Sequence, residues 1–290
     1  MQSLMNSIPF YDTSLYLPGS PNRGTDAALN LSWVQGAEQQ GWGLIPIWFG
    51  LQSVCVITKS GITQFFGPTT ADASTQGAQQ ADQAVAAAIA LGLPAGIIYT
   101  DIENYTVNST CSPLVQAYVD GFVSEIHVYS GYLAGVYANP GPINSDISTV
   151  STPPDDIWIT KTTSSTKPQV TVWNQGISDN LWPNNQRMHQ FILNQSAKFG
   201  GVTVNIDPDV DNGPVLNANV GVKTHSSYVY TSIDCTNLGA FLLNNNTVQS
   251  TFQYPGAIQT GADGINDFGQ VVGWYKDSNQ AYHGFIAVPQ

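Results

Sequence analysis

Two carboxylates close an apolar run in the segment Gly96-Ile-Ile-Tyr-Thr-Asp101-Ile-Glu103-Asn-Tyr105. The run is short, rich in β-branched residues and led in by Leu91-Gly-Leu-Pro94, which is the pattern of a buried strand. Strand side chains alternate with period two, so Asp101 and Glu103 point to one side, about 7 Å apart. Buried parallel strands carry ligands and chemistry at their C-terminal ends, where this pair sits. Two carboxyls in one low-dielectric mouth cannot both ionise easily. One of them is then held protonated near neutral pH, which is what a general acid needs. A solvated loop or a cation-binding pair is the competing reading, and the surrounding elements have to decide.

Those elements alternate. Phe10 to Leu17 reads as a strand stopped by Pro18-Gly19, and Asn30 to Gln40 as a helix stopped by Gly41. A second strand covers Gly43 to Trp48. An Ala- and Gln-rich helix runs from Thr75 to Leu91, ended by Gly92. After the carboxylate strand comes a helix from Pro113 to Tyr129, with Leu114, Tyr118, Phe122 and Ile126 on one face. Four more strand-like runs follow: Tyr132 to Tyr137, Asp156 to Thr160, Arg187 to Ile192 and Gly201 to Asp207. Strands alternating with helices mean a parallel sheet, and this many units mean a TIM-like (β/α) barrel. Seven strands are found before residue 210, one short of a closed barrel. Either strand one is absent, with Met1 to Ser7 the tail of the first helix, or Gln169 to Trp173 supplies the missing strand.

Past Val222 the texture changes to alternating segments between Asn, Asp and Gly turns, as in Ser227 to Thr231 and Gly269 to Tyr275. The expected organisation is a barrel over residues 1–222 and a small all-β module over 226–290. Within the module, Gly239-Ala-Phe-Leu-Leu and Gly284-Phe-Ile-Ala-Val-Pro occupy like positions about 45 residues apart, in the range of blade repeats. A lone unit cannot bury its own face, so the module packs on the barrel, continues in a longer parent or pairs with another chain.

The chain has 290 residues, a formal net charge of −12 and only eight Lys plus Arg. That argues against nucleic acid and against anionic membrane surfaces as partners. No apolar run is long enough to span a bilayer. Met1-Gln-Ser-Leu-Met-Asn6 lacks the basic start and apolar core of a signal peptide. The protein is therefore cytoplasmic, or the chain begins after its export signal. A surface made polar by amides and hydroxyls favours secretion. Of three cysteines, Cys55 and Cys111 sit in loops after neighbouring strands and form either a disulfide or two inert thiols, leaving Cys235 over. No Cys-x-x-Cys or paired-His spacing occurs, so no metal and no cofactor is expected. Nor is there a Gly-x-Ser-x-Gly elbow or a phosphate-binding Gly-rich turn.

Several segments in order carry a resemblance: Ser7 to Arg23, Gly41-Trp-Gly-Leu-Ile-Pro-Ile-Trp48, Ile98-Tyr-Thr-Asp-Ile-Glu103, Pro154-Asp-Asp-Ile-Trp-Ile159, and Met188-His-Gln-Phe191 followed by Gly200 to Asp207. From about residue 1 to 212 the chain resembles the glycoside-hydrolase-like domain family of unknown function 1906. That family is similar to the family 25 glycoside hydrolases, lysozymes with a β/α barrel. The resemblance implies Glu103 as general acid, Asp101 beside it, and Asp207 as the carboxylate ending the last strand. It also implies Tyr137, Trp158 and Gln190 as substrate-facing residues. Family 25 enzymes carry a further Asp on strand one. Phe10-Tyr11-Asp12 matches the second strand instead, so Asp12 is not its counterpart. Thr260 to Tyr275, with His283-Gly-Phe285, resembles the extracellular HAF-type repeat over roughly one and a half units, which again points to export.

Trp48, Tyr137 and Trp158 end strands and suit either stacking on sugar rings or packing at the barrel top. His189 alternates to the opposite side from Gln190 and reads as a core histidine. The expectation is a secreted glycosidase acting on a cell-wall polysaccharide of the peptidoglycan type. The alternative is an inactive carbohydrate-binding or assembly protein, self-associating through its β module or its barrel seam.

Overall fold

The computed structural model describes residues 10–24, 26–163, 168–199, 201–217, 221–224, 240–244, 247–252, 254–265 and 271–287. The chain divides into two compact units, Met1–Thr224 and His225–Gln290. In the first, six strands lie side by side in chain order and all parallel: β1 (Asp12–Tyr16), β2 (Gly43–Trp48), β3 (Ile97–Asp101), β4 (Leu133–Ala138), β5 (Asp156–Thr160) and β6 (Arg187–Gln190). The sheet curls into a half-barrel of TIM-like design. β2 and β3 are buried along their whole length, as strands covered on both faces must be. The inner face gathers Ile45, Ile47, Ile97, Tyr99, Trp158 and Met188. The outer face contributes Leu44, Trp48, Ile98, Val136 and Ile157 to a larger core shared with the helices.

Three of those helices are α1 (Leu31–Gln39), α2 (Thr70–Ala90) and α3 (Ser112–Ile126). Asn30 starts α1 by accepting a hydrogen bond from the Trp33 amide at 3.1 Å. Thr69 starts α2, a turn earlier than the apolar pattern predicts. Its hydroxyl oxygen accepts from the Asp72 amide at 3.1 Å, and its hydroxyl donates to the Asp72 carboxylate at 2.7 Å. The first turn of α2 is small and polar, so the cap, and not periodicity, marks where it begins. α2 and α3 meet backbone to backbone: a Cβ on Gly77 would strike the Tyr118 carbonyl, and one on Gly121 the Ser74 carbonyl. Any larger residue at either position would force the two helices apart.

Between β5 and β6 a (β/α) unit would place a long helix. The described residues of 161–186 contain none; the short helix α4 (Pro140–Ser145) lies one connection earlier, between β4 and β5. Gln169 to Trp173 is irregular and supplies no strand. A connection without a helix leaves carbonyls to be satisfied. Two outward-pointing side chains of β6 collect them. Arg187 bonds the carbonyls of Val172, Ser178, Leu181 and Trp182, and His189 directs its two ring nitrogens at the carbonyls of Thr171 and Lys161, each at 2.8 Å.

The predicted seventh barrel strand, Gly201 to Asp207, is placed elsewhere. β7 (Gln195–Phe199) and β8 (Val202–Ile206) pair with each other as a separate, mostly exposed hairpin. Alternation in Val-Thr-Val-Asn-Ile fits a two-stranded ribbon as well as a barrel wall. The place beside β6 goes to β9 (Asp209–Asp211), which runs antiparallel to it. From there the chain passes Gly213, where a Cβ would strike the Asp156 carboxylate, and enters β10 (Pro214–Asn217). β10 meets β2 at Leu216↔Leu44 and pairs antiparallel with β11 (Gly221–Thr224). Residues 213–216 thus cross between β5 and β2 at the ends of those strands away from the carboxylate pair.

The second unit contains the hairpin β12 (Ala240–Asn244) with β13 (Thr247–Phe252), and an antiparallel sheet of β14 (Gln259–Ile265), β15 (Val271–Lys276) and β16 (Tyr282–Ala287). The rings of Tyr254, Tyr275 and His283 stack in sequence at 3.8 and 4.8 Å. Met1 to Ser7, Ser227 to Thr231, Cys235 and Gly239 lie outside the described residues. Among the described residues no helix is long and apolar enough to cross a membrane.

Candidate active site

Alternation along the parallel strands builds the site in layers. Tyr99, Gly135 and Asp156 are in register across β3 to β5, and Asp101, Tyr137, Trp158 and Met188 are in register across β3 to β6. Gly135 carries no side chain because the Tyr99 ring occupies that space. The Tyr99 hydroxyl donates to Asp156 at 2.8 Å, and its ring meets Trp158 edge-on at 5.5 Å. Two residues beyond Trp158 and Met188, Thr160 and Gln190 pair in register at the ends of β5 and β6. Tyr137 meets Trp158 edge-on at 5.4 Å and donates to Gln190 Oε1 at 2.9 Å. The mouth therefore has an aromatic floor and a polar rim.

The carboxylate pair is held by a residue with no sequence signal. Gln52 is fully buried. Its Nε2 donates to the Asp101 carbonyl at 2.6 Å, and its Oε1 accepts from the Glu103 amide at 3.0 Å. One amide side chain thus pins the backbone on both sides of Ile102. The Ile102 amide is tied in turn to the Tyr137 carbonyl at 2.9 Å. Asp101 is 4% exposed and its Oδ1 has no hydrogen-bond partner, whereas Glu103 is half-buried. Burial, then the charge of Glu103, holds Asp101 well above the usual carboxylate range, and burial raises Glu103 as well. The arrangement retains a proton where water alone would remove it.

Of the other predicted residues, Tyr137 and Gln190 stand on the rim beside Asp101. Trp158, in register with Tyr137 and 3% exposed, is packed against the Tyr99 and Tyr137 rings and leaves no open face for stacking. Trp48 requires a correction. It is 1% exposed, turned to the helices, and donates its indole N–H to Gln80 Oε1 at 2.8 Å, so it has no face for a sugar. Asp207 is exposed at the edge and accepts from the Asn194 amide at 2.6 Å. Two residues on, Asp209 pairs in register with Gln190 and accepts the Trp158 indole N–H at 2.7 Å. Pro208 separates the two aspartates, and spacing gives no means of choosing between them. Cys55 and Cys111 are joined as a disulfide, with Cα atoms 6.3 Å apart, tying the loop after β2 to the loop after β3 that carries Glu103. Among the described residues no group of His, Cys, Asp and Glu is placed to hold a metal.

Burial pushes Asp209 up to about 8. The Trp158 N–H works against this, and the charges of Asp207 and Asp211 add to it. A carboxyl with a higher pKa folded than unfolded binds an extra proton in the folded chain between the two values. Stability is then fully present below about pH 4 and falls as pH rises towards 8. We expect the thermal midpoint to be higher at pH 5 than at pH 8, and Asp209→Asn to flatten that slope while keeping an acceptor for Trp158. A realised difference of ~2 kcal/mol would move the midpoint by roughly 4–8 °C. An unchanged slope in the variant would show that Asp209 is ionised in the folded chain throughout.

The family model described as "Rv2525c-like, glycoside hydrolase-like domain" matches residues 11–212. No curated protein matches the chain. Among solved structures, the spore cortex lytic enzyme SleM of Clostridium perfringens aligns with a TM-score of 0.44 at 13% identity, covering 97% of this chain and 91% of that one. A proposed sporulation-specific glycosylase of Bacillus subtilis, ydhD, aligns with a TM-score of 0.40 at 11% identity, covering 96% and 84%.

Proposed function

Because this chain belongs to the Rv2525c-like glycoside hydrolase-like family, we propose that its mouth hydrolyses a cell-wall polysaccharide of the peptidoglycan type. The observation that carries this reading is the Asp101–Glu103 pair at the C-terminal end of β3, clamped by Gln52 and biased towards keeping a proton. Glycoside cleavage needs an acid that protonates the departing oxygen while positive charge develops on the sugar. Glu103, the more accessible partner, donates that proton. Asp101 shares that proton with Glu103 and makes its loss to water harder. Asp207, across the mouth, stabilises the developing charge, with Tyr137 and Gln190 orienting the sugar. The Cys55–Cys111 bond supports an oxidising, extracellular setting.

The test is reducing-end release from peptidoglycan and a panel of polysaccharides, native chain against Glu103→Gln. Release by the native chain that disappears in the variant supports the reading; release unaffected by the substitution rejects it. One observation favours a second reading, a carbohydrate-binding or assembly protein without turnover. Among the described strands β1 pairs only with β2, leaving a sheet edge that a second copy could cover. Retained glycan binding with no release from any substrate would select it, and a dimer held through that edge or through residues 226–290 would identify the assembly form.

A further inference from the structure

Beside β1 lies a groove of about 420 Å³ whose lining includes Ser14, Tyr16, Arg23, Asp26, Leu29 and Trp33. It reaches the carboxylate end of the sheet at Tyr16, which closes β1 at the same end where Asp101 closes β3, and the charges of Asp101, Glu103 and Asp207 act on the Tyr16 hydroxyl. Arg23 stands at this junction, its guanidinium carbon 4.3 Å from the centre of the Tyr16 ring.

Its position is built. The neighbouring residue, Asn22, donates to the carbonyls of Gly50 at 2.7 Å and Gln64 at 3.0 Å, and accepts from the amides of Thr63 and Gln64, both at 2.9 Å. The Asn22 amide donates to Phe49, and the Arg23 and Gly24 amides both return to Ser20. The turn carrying Arg23 is thereby fixed to two other loops, and the side chain is stacked before any ligand arrives. Among the described residues the guanidinium has no ion pair and donates no hydrogen bond, in a protein with 20 acids to eight Lys plus Arg. The other charged residue of the groove, Asp26, spends Oδ1 on the Ala28 amide at 2.9 Å.

A pre-stacked, unpaired guanidinium offers its planar fork to a carboxylate. Leu29 and Trp33 give the groove an apolar wall suited to a sugar's carbon face. We propose that this groove is a subsite for a carboxylate-bearing sugar, with Arg23 as its receptor, so that the polymer crossing the mouth is an acidic one. The inference rests on the glycan reading of the same mouth and adds its charge.

The probe is an oligosaccharide of alternating N-acetylglucosamine and N-acetylmuramic acid with free lactyl carboxylates, set against its methyl ester. Equilibrium binding to the full chain is measured by calorimetry, with hydrolysis followed in parallel. The acid form should bind about tenfold or more tightly than the ester, as one charge-assisted contact allows. Arg23→Gln should erase that preference and Arg23→Lys keep part of it. Equal affinity for acid and ester, with Glu103-dependent hydrolysis intact, overturns the subsite and leaves the hydrolase standing. If neither form is bound or cleaved, the glycan reading fails and the subsite fails with it.

Discussion

Replacing Arg187 with alanine should unfold most of the chain, or lower its stability by at least ~3–5 kcal/mol. The side chain is fully buried and serves the connection that lacks a helix. Nε donates to the carbonyls of Leu181 and Trp182 at 3.0 and 3.2 Å. Nη1 donates to Val172 O and Asp179 Oδ1 at 3.3 and 3.2 Å, and Nη2 to Ser178 O at 2.7 Å and to Leu181 O. The guanidinium is stacked 4.4 Å from the Trp173 ring centre. Burial lowers its pKa, and the Asp179 carboxylate partly restores it. Removing it strands several carbonyls without donors in a space closed to water, which costs more than the lost bonds themselves. Total stability for a domain is about 5–15 kcal/mol, so one such substitution consumes much of it. Arg187→Lys, with a point charge and three donors, cannot reach the same set of acceptors and should recover less than half of the loss. Denaturant unfolding of the native chain and of its Ala, Lys and Met variants at position 187 measures this. An Arg187→Met chain within about 1 kcal/mol of native would mean that the 161–186 connection is held by other contacts.

That connection also marks the limit of what pattern discloses. β2, β3 and β5 are legible because apolar runs bounded by Gly and Pro have few other uses; β3 ends at Asp101, so Glu103 lies beyond the strand and is placed by the Gln52 clamp and not by strand period. The Gly201 to Asp207 run is equally strand-like, yet period two says nothing about which partner a strand takes. Arg187 and His189 read as ordinary strand residues, since the carbonyls they serve lie up to 28 positions away in the chain. Trp48 was assignable to either face because β2 is apolar on both, and only the packing of α2 turns it outward. Gln52 has no signature at all. Its worth comes from two backbone atoms that only the folded β3 brings within its reach.

The same clamp decides how the carboxylate pair should respond to substitution. Under the proposed glycan hydrolysis, Glu103→Gln removes the proton donor while keeping its shape, so activity should fall by about 10²–10⁴-fold at every pH. Asp101→Asn has a different expected signature. Burial and the Glu103 charge make the second ionisation of the pair difficult, so the pair keeps one proton to higher pH than either carboxyl would in water. An acid acts only while protonated, so activity is present below the pair's upper titration and is lost as pH rises through it. With Asp101 neutral, Glu103 ionises without a neighbouring charge to oppose it, and the alkaline limb of kcat/KM should move to lower pH. Activity on the acid side should be retained in part. A pH profile of both variants separates the roles. Loss at all pH in Asp101→Asn, with Glu103→Gln merely shifted, would transfer the donor to Asp101 and leave Glu103 as its electrostatic partner. A profile unmoved by Asp101→Asn would mean the two carboxyls do not share a proton, and that burial alone raises Glu103.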